Sequence, residues 1–133
     1  MEKIGFIGLG IMGAPMAGHL LDAGYTVITT DHRSKAPADL VAKGLKTVTG
    51  NNAVAKAADI IITMVPDTPQ VDEVLFGENG VAAGLSNGKL VVDMSSISPI
   101  ATKEFAKKVN ALGCDYLDAP VSGGEVGAKA ASL

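Results

Sequence analysis

Ile4-Gly5-Phe6-Ile7-Gly8-Leu9-Gly10-Ile11-Met12-Gly13-Ala14-Pro15-Met16 is the stretch that decides how this chain is read. It opens as a short apolar run, breaks into a glycine-spaced hexamer, and continues as apolar residues at helical spacing. A glycine hexamer alone is a weak signal, but an apolar strand before it and a helix after it raise its weight. Each glycine then has a task. Gly8 allows a tight turn, Gly10 lets a pyrophosphate approach the backbone, and Gly13 lets the following helix pack closely on the sheet. The helix start offers free N–H groups and about half a positive charge to phosphates. Gly8, Leu9, Gly10, Ile11, Met12 and Gly13 are therefore the candidate phosphate-binding residues. The expected fold is α/β, a doubly wound Rossmann-type domain with a mostly parallel sheet.

The rest of the chain keeps the rhythm of βαβ units, with Gly or Pro at the changes. The first strand is Lys3–Ile7 and the first helix runs from Ile11 to about Ala23, with Pro15 harmless in its first turn and Gly24 just past its end. Tyr25–Thr30 reads as a strand, Ala36–Lys43 as a helix, Lys46–Val48 as a short strand and Asn52–Ala57 as a small helix. Asp59–Met64 holds Ile60-Ile61-Ile62, the unbroken apolar run of a strand covered on both faces. Pro69–Phe76 reads as a helical turn or two and Leu90–Met94 as a strand. Ser98 and Pro99 start a helix to about Leu112, stopped by Gly113, and Cys114–Leu117 is a further strand. Ala128–Leu133 carries no cap or stop signal and reads as an incipient strand, cut off. The expectation is one dinucleotide-binding domain over residues 1–133, truncated at its C-terminal end.

Bulk properties exclude several classes. A chain of 133 residues with 47% hydrophobic and 19% charged residues suits one globular domain with a real core, not a disordered chain. A formal net charge of −3 provides no basic face for nucleic acid. One cysteine, Cys114, excludes an internal disulfide and metal sites built from cysteine pairs, so no metal is expected. No apolar run is long enough to span a bilayer, and the apolar start lacks the basic and cleavage regions of a signal peptide. No membrane partner is expected, and the cytoplasm is the default location.

Asp31 closes the second strand eighteen positions after Gly13, near the place where an acid binds the adenine ribose hydroxyls of NAD. His32 and Arg33 follow, and a cation there suits the 2′-phosphate of NADP. A carboxylate facing that extra phosphate costs roughly 1 to 4 kcal/mol per unit charge at 4 Å, depending on the effective dielectric. The balance leans to NAD and leaves NADP as the alternative. His19 reads as a packed or half-exposed helix residue, Cys114 as a small buried hydrophobe, and Met12 and Met16 as packing against the sheet.

Two motifs together carry a resemblance. Gly5-Phe6-Ile7-Gly8-Leu9-Gly10-Ile11-Met12-Gly13-Ala14-Pro15-Met16-Ala17 resembles the signature of the β-hydroxyacid dehydrogenase family, and Asp118-Ala119-Pro120-Val121-Ser122-Gly123-Gly124 resembles its substrate-binding loop. His19 departs from the asparagine common at that helix position. The resemblance implies an oxidoreductase acting on a small hydroxy acid or aldehyde acid. It also implies an all-helical second domain beyond Leu133 that holds the catalytic lysine, and a homo-oligomer at full length. No residue of this chain matches the catalytic position. Val65, Pro66, Gln70 and Ser96 match cofactor contacts, in keeping with the rule that ligands sit beyond the carboxyl ends of the strands. Ser122, Gly123 and Gly124 match the contacts to the substrate carboxylate. The alternative functions are that of another β-hydroxyacid dehydrogenase, such as one acting on 3-hydroxyisobutyrate, or a dinucleotide-binding module without catalysis.

Overall fold

The computed structural model describes residues 2–31 and 36–133. The elements are β1 (Lys3–Ile7), α1 (Gly13–Asp22), β2 (Thr26–Thr30), α2 (Ala38–Ala42), β3 (Lys46–Val48), α3 (Asn51–Ala57), β4 (Ile60–Thr63), α4 (Thr68–Phe76), β5 (Leu90–Asp93), α5 (Pro99–Asn110), β6 (Asp115–Asp118) and α6 (Gly124–Ala130). The sheet order is β3-β2-β1-β4-β5-β6, and every pairing is parallel. The doubly wound arrangement thus stands, with a sheet that is wholly parallel among the described residues.

A parallel sheet of this kind needs cover on both faces, and alternate residues supply it. Phe6 joins Ala17, Val27, Leu40 and Leu45 on the side of α1 and α2. Ile7 and Ile61 face the other way, into a cluster with Val54 of α3, Val71 and Leu75 of α4, and Phe105 and Val109 of α5. Ile62 returns to the α1 side, so the isoleucine run is buried from both directions. Cys114 is buried in the larger cluster, with its thiol directed at the Ser86 carbonyl (3.1 Å). Met16 packs into the α1-side core, whereas Met12 precedes α1 and lines a cleft.

Helix starts follow local chemistry. Asp67 caps α4 by accepting from the Thr68 N–H (2.7 Å), and the nine-residue helix starts one residue ahead of the expected Pro69. Ser98 accepts from the Ala101 N–H at the head of α5, and Pro99 is its first residue. A 3-10 turn at Val81–Gly84, absent from the sequence reading, packs against α3.

The end of the chain corrects the sequence reading. Residues 128–133 do not begin a strand: Gly124–Ala130 is α6. Glu125 and Lys129 form an i,i+4 ion pair (2.7 Å) along it. It stops in a Schellman motif, with the Ser132 N–H bonded to the Gly127 carbonyl (2.9 Å) and the Ala131 N–H to the Ala128 carbonyl (3.3 Å). The left-handed residue of that motif is Ala131 (φ 56°), not the usual glycine, so its sequence carries no stop signal.

Candidate functional site

β1 pairs with both β2 and β4. The chain winds away from it in both directions, so the loops after β1 and β4 diverge at their carboxyl ends. Between them lies a cleft of about 530 Å³. Gly8, Leu9, Gly10, Ile11, Met12 and Gly13 line it from the β1–α1 turn, Val65 and Pro66 from the loop after β4, Gln70 from α4, and Ser96 from the loop after β5. The structure therefore brings together residues spread over most of the chain.

The glycines differ in what they make possible. A Cβ on Gly8 would sit 2.0 Å from the Met64 carbonyl oxygen, and its φ of +106° suits glycine alone. A Cβ on Gly13 would lie 1.7 Å from the Gly8 carbonyl oxygen and 3.1 Å from the Phe6 ring. Gly13 thus packs on the turn itself as well as on the sheet side chain beneath it. A Cβ on Gly10 would meet nothing within 4 Å. Gly8 and Gly13 build the turn, and Gly10 leaves its surface bare toward the cleft. The helix that follows has no side-chain cap and no acidic residue in its first turn. Its Ala14 and Met16 N–H groups already bond the Gly10 and Met12 carbonyls and Pro15 has none, so the Gly13 N–H and the positive end of the helix are what face an anion.

Other wall residues were not found from sequence. Thr30, the last residue of β2, accepts the Gly50 N–H on its hydroxyl (2.9 Å) and tethers the head of α3. Asn51 and Glu73 join Gln70 in the lining. The Oδ1 of Asn51 and the Oε1 of Gln70 are buried and have no hydrogen-bond partner, and acceptors in that condition are costly unless a ligand or water meets them. A bare glycine, an uncapped helix start and two unmet acceptors fit a dinucleotide in this cleft. For Thr30 and Asn51 the available signal was position alone, at a strand end and just after one.

Asp31 stands exposed beyond β2 and accepts the Ala36 N–H (2.8 Å). It is not part of the cleft lining. His32 and Arg33 lie outside the described residues. Ser122, Gly123 and Gly124 are exposed at the passage from β6 into α6, away from the cleft lining. Gly123 is left-handed (φ +117°) and its carbonyl accepts the Gly127 N–H (2.9 Å), which starts the helix.

Behind the cleft a buried polar group joins the strand ends. Asp93 and Thr63 have no exposure, and the Thr63 hydroxyl donates to Asp93 Oδ1 (2.9 Å). The Ser95 N–H donates to the same oxygen (3.0 Å), and the Ser95 hydroxyl accepts the Val65 N–H (2.9 Å). Tyr116 donates to Asp93 Oδ2 (3.3 Å). Burial, then the Asp93 charge and hydrogen bond, push the Tyr116 phenol well above its ordinary value, with a smaller push from Asp118.

Fold and cleft together define a dinucleotide-binding α/β domain. The chain belongs to the family of the NAD binding domain of 6-phosphogluconate dehydrogenase, which matches residues 3–133. Over 131 residues it is 57% identical to 2-hydroxy-3-oxopropionate reductase of Escherichia coli strain K12, covering 98% of this chain and 44% of the relative. Over the same length and shares it is 47% identical to 2-(hydroxymethyl)glutarate dehydrogenase of Eubacterium barkeri. A solved structure, Mycobacterium tuberculosis 3-hydroxyisobutyrate dehydrogenase with L-serine, superposes with a TM-score of 0.90 at 36% identity, covering 98% of this chain and 44% of that one. The chain therefore spans less than half the length of these relatives. Among the described residues no helix is long and apolar enough to cross a membrane.

Proposed function

We propose that the protein bearing this domain reduces 2-hydroxy-3-oxopropanoate (tartronate semialdehyde) to glycerate with a nicotinamide dinucleotide, NAD in preference to NADP. The observation that carries the reading is the cleft at the β1–β4 switch, with bare Gly10 and the uncapped start of α1 facing it. The choice of substrate rests on the 57% identity to 2-hydroxy-3-oxopropionate reductase, against 47% and 36% for the other two relatives.

In this reading the Gly8–Gly13 turn and the α1 N-terminus hold the pyrophosphate by backbone N–H groups. Asp31 accepts from the ribose hydroxyls, and Val65, Pro66, Gln70 and Ser96 wall the remainder of the cofactor. Ser122 and the backbone N–H groups of Gly123 and Gly124 hold the substrate carboxylate, as a backbone nest does. When bound, the reduced nicotinamide supplies the hydride that the aldehyde carbon accepts. The oxygen of that aldehyde then takes a proton from a general acid, the lysine that the resemblance implies beyond Leu133. Dehydrogenation of glycerate and of 3-hydroxyisobutyrate by the full-length protein, each with NAD and NADP, tests the proposal. A kcat/KM for glycerate at least about tenfold above the other acid supports it, and the reverse order overturns it.

A further inference from the structure

We infer that the Asp93 carboxylate is a positioning group: through Ser95 it fixes the Val65–Pro66 and Ser96 walls of the cleft relative to each other, and so sets the affinity of the cleft for a dinucleotide. The affinity half of this inference rests on the dinucleotide reading above.

Strand pairing does not need this carboxylate. Thr63 and Asp93 are already register partners on β4 and β5, and Asp93 is the partner of Asp118 on β6. Burying an aspartate there costs free energy that an apolar side chain would not incur. The bonds from Thr63 and Tyr116 stay within the sheet, and the third reaches past the end of the ladder. One oxygen receives the Ser95 N–H, and the Ser95 hydroxyl, itself 1% exposed, receives the Val65 N–H. Both N–H groups belong to loops, and side chains supply their acceptors. The residues adjoining this chain of bonds, Pro66 and Ser96, line the cleft from the neighbouring loops after β4 and β5. Thr63 anchors the same oxygen from below, so the carboxylate cannot swing without breaking a buried bond. A loop whose N–H is tied to a rigid strand end presents one wall, whereas an untied loop samples several and binds more weakly.

The test uses the full-length protein and three measurements: hydrogen exchange of segments 64–70 and 94–98 without ligand, NADH and NADPH affinity by fluorescence, and steady-state kcat and cofactor KM. Asp93→Asn is the direct variant. Ser95→Ala is the milder one, which removes only the acceptor of the Val65 N–H and keeps the test alive should the first fail to fold. Ser95→Ala is expected to speed exchange in 64–70 about tenfold or more and to raise the cofactor KM by a similar factor, while kcat changes less than about threefold. Unchanged exchange in 64–70 overturns the inference. Faster exchange with cofactor affinity within about twofold of wild type overturns it too, because the loop would then be tied without consequence for binding. A wild-type protein that binds neither dinucleotide sinks the dinucleotide reading instead, while the ligand-free exchange result still decides whether Asp93 and Ser95 tie the loop.

Discussion

His19, on α1, points its Nε2 at the carbonyl oxygens of Ala128 (2.9 Å) and Lys129 (3.0 Å) near the end of α6. Both partners can only accept, so Nε2 carries the proton and donates. One side chain of the helix that starts in the cleft thereby secures the helix that follows Ser122–Gly124. The Ala128 carbonyl already accepts the Ala131 N–H, so His19 adds a second bond there and caps the Lys129 carbonyl from a neighbouring helix. His19→Leu should lower stability by about 1 kcal/mol, or about 4 °C in Tm. His19→Asn, which keeps a donor, should recover part of it. Equal Tm values for wild type and the leucine variant would remove the cap from consideration.

The glycine turn gives a prediction with opposite signs at two positions. Gly10→Val should leave Tm within about 1 °C of wild type, since a side chain there enters open space. It should weaken NADH binding by about 100-fold or more, because the branched side chain occupies the pyrophosphate's approach. Gly13→Ala should do the converse first: its Cβ would lie 1.7 Å from the Gly8 carbonyl oxygen, so the turn must open and stability falls. Thermal melts and fluorescence titrations on the two variants separate these roles. A Gly10→Val protein that binds NADH like wild type would remove the turn from the cofactor site.

Much of this was legible beforehand because the signals were local. Strand β1, the turn and α1 are adjacent in sequence, and glycine spacing reports backbone geometry directly. Element order followed from alternating apolar runs, and even the lone short strand β3 falls at Lys46–Val48 as read. What stayed hidden depends on distant or unusual partners. Asn51 and Glu73 reach the cleft only because crossovers bring α3 and α4 to the same sheet edge. His19 looked like an ordinary helix residue because its partners lie more than a hundred positions away. Helix α6 was misread because its left-handed terminator is an alanine, where a glycine would have announced the end.

Asp31 should govern cofactor choice. Asp31→Ala removes the charge that opposes a 2′-phosphate, so the NADH preference over NADPH should narrow by about tenfold. The same change deletes the acceptor of the Ala36 N–H, which should cost affinity for both cofactors alike because Ala36 lines the cleft. The ratio of the two affinities isolates the electrostatic part. A wild-type protein preferring NADPH tenfold, about 1.4 kcal/mol, would mean that the neighbouring cations dominate.

Tyr116 gives a pH dependence of definite sign. Its folded-state pKa lies above the ordinary 10.0 of an unfolded tyrosine. Below pH 10 both states hold the proton and the contribution is complete. As pH rises past 10, the unfolded chain releases its proton while the folded one keeps it, so stability falls. Tyr116→Phe should flatten this alkaline limb, while losing a little stability at pH 7 with the bond to Asp93. Melting curves from pH 8 to 11 make the comparison. Parallel alkaline slopes in the two proteins would place the Tyr116 hydroxyl in water rather than against Asp93.

Ala131 offers the last prediction. It closes α6 in the left-handed region (φ 56°), where a Cβ crowds the following carbonyl at a cost of about 1–2 kcal/mol. The conformation persists because it permits two capping bonds, from Ser132 to Gly127 and from Ala131 to Ala128. Ala131→Gly should relieve the crowding and keep both bonds. Against that stands the greater freedom of glycine in the unfolded chain, about 0.4–1 kcal/mol. The difference favours the folded state by up to about 1.6 kcal/mol, a gain of a few degrees in Tm. Ala131→Val should move the other way, because a β-branched residue tolerates positive φ least. Slower hydrogen exchange across residues 127–132 in the glycine variant and faster exchange in the valine variant would accompany those shifts. A glycine variant less stable than wild type would mean that α6 does not end at Ala131 in this conformation.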